Sequence, residues 1–123
     1  LFSSGKMLEE LRKTENVIEK YVNRKIRLLR PPYGVTNPPL AKALRKKNYH
    51  IIGWSLRSKD TVIKNEDQLF KRVSERLKPG DIILFHDTKI NMVTVLEKFI
   101  KFAKENDFSF ERLDNLLGIE AYE

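Results

Sequence analysis

His86 stands where a histidine could do chemistry. It is one of two histidines in a chain of 123 residues. Four apolar residues, Ile82-Ile83-Leu84-Phe85, lead into it and Asp87 follows it. Imidazole has an unperturbed pKa of about 6.5, so at a strand end it can pass a proton to a leaving group. The structural alternative is a buried histidine satisfied by a carboxylate. Asp60 is one acid that could tune it, or else an exposed loop residue. Arg30, before Pro31-Pro32-Tyr33-Gly34, could orient a carboxylate through its guanidinium fork, or form a surface salt bridge of small value. The two prolines make the turn at Tyr33-Gly34 stiff, and such a turn can aim a backbone N–H at a developing oxyanion or simply punctuate a loop. Trp54, the only tryptophan, could wall an apolar pocket, stack on a sugar or belong to the core. His50 falls at the opposite, starting end of a strand and reads as structural. The chain has no cysteine, which excludes a thiolate nucleophile, thiolate zinc sites and disulfides.

The elements that must position these residues alternate. Ser3 and Ser4 can cap a helix with Met7, Leu8, Leu11, Ile18, Tyr21 and Val22 near a 3.6-residue spacing, ending at Asn23. Ile26 to Leu29 reads as a strand. Asn37-Pro38 is an N-cap followed by proline at the first helical position, and Leu40, Ala43 and Leu44 make that helix's apolar stripe. Tyr49 to Ser55 reads as a second strand. Asn65 with Gln68 resembles a capping box ahead of Leu69, Phe70, Val73 and Leu77. Ile82 to Phe85 reads as a strand buried on both faces. Met92 to Ala103 forms another amphipathic helix, and the alternation from Phe108 to Leu113 suggests a last strand. Strands separated by helices imply parallel pairing in an α/β fold of about four β/α units. The ends of three strands, near Arg30, Trp54-Ser55 and His86, are then expected to converge on one face.

Composition sets the outer limits. Hydrophobic residues make up 41% and charged residues 33%, which excludes disordered and fibrous classes. The longest apolar run has four residues, far short of the roughly 20 of a membrane span. The chain opens at Leu1 without a signal peptide, which reads as a processed or truncated product. Residues 1–61 carry 14 Lys and Arg against 5 Asp and Glu, a net of +9. A nucleic-acid interface is one reading of that basic half. Solvated helix faces are the favoured one, and no nucleic-acid motif accompanies the charge.

Taken together, three segments resemble one family. Arg30-Pro31-Pro32-Tyr33-Gly34 is similar to the R-x-P-Y-G motif of the polysaccharide deacetylases, carbohydrate esterase family four. Trp54-Ser55-Leu56-Arg57-Ser58-Lys59-Asp60 is similar to that family's W-S-x-D-x-x-D segment, with Arg57 replacing an acid. Pro79 to Asp87 is similar to its last motif, a Pro-Gly-Asp turn feeding a strand that ends in L-x-H-D. The three occur in the family's order, and the resemblance covers roughly Met7 to Leu113.

The resemblance implies a distorted (β/α) barrel and a metal-dependent hydrolase, usually with zinc. Such an enzyme removes acetyl groups from N-acetylated sugars of peptidoglycan, chitin or related polymers, in the cell envelope or outside the cell. It implies that His86 is the general acid, that Asp60 hydrogen-bonds and holds it, and that Arg30 orients a catalytic base. The Tyr33 N–H would stabilise the oxyanion, Trp54 and Leu84 would line the acetyl pocket, and Pro32 and Asp87 would have supporting roles. The family's acidic D-D strand end and H-x-x-x-H helix have no counterpart before Arg30, so no metal ligand is expected in this chain. Residues 1–123 are accordingly expected to be the carboxyl-terminal part of one catalytic domain. The exposed edges of such a partial barrel would need the missing segment or a swapped chain to cover them. The alternative is a noncatalytic carbohydrate-binding or interaction module on a degenerate deacetylase fold.

Overall fold

The computed structural model describes residues 3–32, 37–89 and 91–123. The chain divides into two units. One joins everything up to Gly53 with Leu113–Glu123, and the other is Trp54–Arg112.

In the first unit, Ser3 caps helix α1 (Ser4–Val22), its side chain accepting the Lys6 N–H at 3.3 Å. Asn23 ends the helix in the left-handed conformation, φ 54°, with its N–H on the Glu19 carbonyl. Asn37 caps helix α2 (Pro38–Lys46) through the Leu40 N–H at 2.8 Å, and Pro38 opens it. The core here is Leu11, Leu40, Leu44 and Tyr49, with Met7, Leu8, Ile26 and Leu29 packed on it. The expected stripe on α1 is therefore only partly inward. Its core contacts come from the first three turns, and the helix runs on past them, leaving Tyr21 87% exposed. Strand β1 (Leu28–Leu29) pairs in parallel with β2 (His50–Ile51), across α2, as a right-sized β-α-β crossover. On the other side of β1 the chain's last residues return. Ile26 and Tyr122 form an antiparallel bridge, flanked by Arg27 N–H to Ala121 O and Glu123 N–H to Lys25 O.

In the second unit, β3 (Leu56–Arg57) pairs in parallel with β4 (Ile83–Leu84). Helix α3 (Glu66–Arg76) connects them, with the Asn65 side chain accepting the Gln68 N–H at 2.9 Å. Helix α4 (Asn91–Glu105) packs along α3. Leu69, Met92 and Val95 form one buried cluster, against which Ile63, Phe70 and Phe85 lie. Val73, Phe99 and Ala103 are also buried, and Phe99 meets Phe85 edge to face at 5.8 Å. Among the described residues, no helix is long and apolar enough to cross a membrane.

Three expectations are corrected. The strand expected over Tyr49 to Ser55 is His50–Ile51 alone, and Leu56–Arg57 is a separate strand with its own partner. No strand forms from Phe108 to Leu113. Phe110 is 56% exposed, so its alternation buries no face, and Leu113–Leu117 is instead a short helix, α5. Ile82 to Phe85 is half-buried rather than covered on both faces, and only Ile83–Leu84 is in the ladder with β3. The described strands form two separate two-stranded ladders, β1–β2 and β3–β4.

Candidate functional site

The second unit builds its site from a turn upward. Gly80 takes φ 82°, a conformation that costs a residue with a Cβ and suits glycine. The turn aims Asp81 back into its own loop, where the carboxylate accepts the Lys78 N–H at 2.7 Å and the Ser55 hydroxyl at 2.6 Å. The Ser55 oxygen in turn accepts the Ile82 N–H at 2.9 Å. These bonds set the register of β3 on β4, so residues just past both strands meet.

The residues that meet are Asp60 and His86. One Asp60 oxygen lies 2.8 Å from His86 Nδ1 and the other accepts the His86 backbone N–H at 2.5 Å. The Asp60 side chain is 2% exposed and that of His86 40%. Asp60 is thus a buried acid rather than an exposed loop residue. An ionised carboxylate only accepts, so Nδ1 carries a proton and Nε2 is the ring atom left for other work. Burial by itself raises the Asp60 carboxyl. The bonds from the His86 ring and backbone, with a smaller one from Ser58, outweigh burial and hold it below the usual carboxylate value.

The loop leading to Asp60 is held as well. Ser58, fully buried, donates its hydroxyl to the Leu84 carbonyl at 2.7 Å and accepts the Asp60 N–H at 3.3 Å. Arg72, on α3, donates to the carbonyls of Ser58 at 3.1 Å and Arg57 at 3.3 Å. Sequence reasoning passed over both residues. The serine two positions before Asp60 was the available signal, whereas nothing distinguished Arg72 from its basic neighbours.

The other anticipated residues are placed as follows. Leu84 is half-buried on β4, and its carbonyl holds Ser58. Trp54 is half-buried and Asp87 exposed. A cavity of about 210 Å³ beside Asp60 is lined by Ile63, Leu69, Met92 and Val95 with Lys64, Glu66 and Lys89, and not by Trp54 or Leu84. Arg30 belongs to the first unit, where its guanidinium donates to the carbonyls of Ile52 at 3.4 Å and Gly53 at 3.0 Å rather than to a carboxylate. Pro32 is exposed, and Tyr33 lies outside the described residues. Among the described residues, no three His, Asp or Glu side chains cluster as a metal site requires. The described donors by themselves do not make the four-ligand set of a zinc centre.

Comparison with known proteins supplies the context. Residues 2–52 match the family model for polysaccharide deacetylase. A peptidoglycan-N-acetylglucosamine deacetylase from Bacillus cereus is 27% identical over 122 residues, covering 90% of this chain and 44% of that protein. The chain therefore spans less than half the length of that relative. Among solved structures, a CE4 family pseudoenzyme from Bacillus anthracis matches with a TM-score of 0.82 at 28% identity, over 94% of this chain and 41% of the other. A family 4 carbohydrate esterase from Streptomyces lividans, in complex with acetate, matches with a TM-score of 0.80 at 25% identity, over 91% and 58%. The fold described above is of the kind these proteins share.

Proposed function

We propose that this chain, whose residues 2–52 match the polysaccharide deacetylase family model and which is 27% identical to a peptidoglycan-N-acetylglucosamine deacetylase, is part of a hydrolase that removes acetyl groups from N-acetylated sugars of a cell-envelope polysaccharide such as peptidoglycan or chitin. Asp60 and His86 carry the reading. A buried carboxylate fixes the imidazole through two bonds while the ring stays 40% exposed, as a group serving a substrate must be.

In this reaction water adds to the amide carbonyl and gives a tetrahedral intermediate. The C–N bond then breaks, acetate departs, and the sugar amine must gain a proton. His86 supplies it from Nε2, and Asp60 stabilises the doubly protonated ring before transfer. The family resemblance assigns Arg30 to orienting the base and the Tyr33 N–H to the oxyanion. It assigns Trp54 and Leu84 to the acetyl pocket, with Pro32 and Asp87 in support. It also implies a distorted (β/α) barrel and a divalent metal. Among the described residues no three His, Asp or Glu side chains form a metal set, so no step is assigned here to a metal.

The test uses the zinc-loaded polypeptide that carries this sequence, with N-acetylglucosamine oligomers as substrate and released acetate as readout. His86→Ala should lower kcat by roughly 10²–10⁴-fold, as for loss of a general acid, and leave zinc content unchanged. Near-normal turnover by this variant refutes the assignment. Sugar binding without acetate release by the unaltered protein would support a noncatalytic module instead.

A further inference from the structure

We propose that Ser58 and Arg72 are positioning residues for the Asp60–His86 pair, a role that rests on the deacetylase reading above. The bonds around Asp60 close a ring. From the Leu84 carbonyl the ring passes to the Ser58 hydroxyl, then to the Asp60 N–H, through the Asp60 carboxylate to the His86 N–H, and back along Phe85 to Leu84. Each member fixes the next, so the carboxylate has one distance from the imidazole rather than a range. Arg72 holds the ring from outside, since its fork takes the carbonyls of both Ser58 and Arg57.

The backbone shows why such support is required. Lys59, between Ser58 and Asp60, has φ 63°, the left-handed conformation that a residue with a Cβ enters at a cost. A strained residue of this kind persists only where its surroundings over-determine it. Ser58 on one side and the Asp60 bonds on the other are those surroundings. Without the Ser58 hydroxyl, the Asp60 N–H and the Leu84 carbonyl lose their shared link, and the loop can relax away from His86. Displacement of an acting group by about 1 Å can cost up to roughly 100-fold in rate.

The test compares Ser58→Ala, Arg72→Ala and His86→Ala in the same zinc-loaded polypeptide. The two positioning variants should lose roughly 10- to 100-fold in kcat while KM stays near the unaltered value. Nitrogen-15 shifts of the His86 ring provide the second readout. The unaltered protein should show the single tautomer protonated at Nδ1, and the variants a mixture. Ordinary kcat together with the unchanged tautomer in both variants overturns the proposal. Thermal melting identifies any variant that does not fold. If Ser58→Ala fails to fold, Arg72→Ala, altered on a half-buried helix position, decides. Full activity in His86→Ala would sink the deacetylase reading, while the ring tautomer would still decide the positioning claim.

Discussion

Replacing Asp60 by Asn removes a charge from a buried site at almost constant size. The carboxylate uses both oxygens on His86, one for the ring and one for the backbone N–H. An amide has one oxygen and one NH₂, so a single acceptor must serve two donors. If the oxygen stays on the backbone N–H, the NH₂ faces Nδ1 and forces the ring into its other tautomer. A hydrogen bond to a charged group contributes about 1.5–3 kcal/mol, and the ring's contact with solvent puts this loss at the lower end, ~1.5–2 kcal/mol. Urea unfolding followed by Trp54 fluorescence should show that difference at pH 7 as a lower midpoint with an unchanged slope. The pH dependence has a fixed sign. The folded carboxyl lies below the ordinary carboxylate value of about 3.8, so its stabilisation is complete above that pH and is lost as pH falls through the folded value. Asn does not titrate, so the gap between the two proteins must narrow below about pH 4. Equal stability at pH 7, or a gap that stays constant from pH 7 to pH 3, would refute the reasoning.

Two further changes test the framework around the site. Asn65→Ala removes the cap of α3 and should cost about 1 kcal/mol, read as a shift in thermal midpoint, with helix content by circular dichroism otherwise kept. Phe99→Ala empties a position 1% exposed beneath Phe85, the residue before His86. It should cost ~3–5 kcal/mol in denaturant unfolding, and a cost below 1 kcal/mol would mean that the α3–α4 core collapses around the gap.

Features written in a few neighbouring residues were legible in the sequence. Ser3, Asn37 and Asn65 each cap the helix they were expected to cap, because an N-cap is decided within three residues. The Pro-Gly-Asp turn was legible for the same reason. The strands were less so. Leu56–Arg57 becomes a strand only by pairing with Ile83–Leu84, many residues away, and Phe108 to Leu113 alternates without forming a strand. At the site, residue types flagged His86 and Asp60 but left the acid's burial open, because burial depends on what α3 and β4 bring alongside. Arg30 was expected to seek a carboxylate. It takes the carbonyls of Ile52 and Gly53, which the β1–β2 ladder sets beside it. Arg72 could not be read at all, since its partners are carbonyls that carry no residue-type signal.

The return of Ala121, Tyr122 and Glu123 beside the Lys25-to-Arg27 segment has a consequence for synthesis. A ribosome delivers the chain from its amino end at roughly 5–20 residues per second. All of Trp54–Arg112 has therefore emerged before Ile26 meets its bridge partner. The unit bearing His86 is continuous and can close as soon as α4 is released. The other unit is interrupted, and its outer pairing waits for Ala121, Tyr122 and Glu123 and for closure of a long loop. During translation the open side of that segment is a bare backbone edge, the surface most apt to recruit a neighbouring nascent chain.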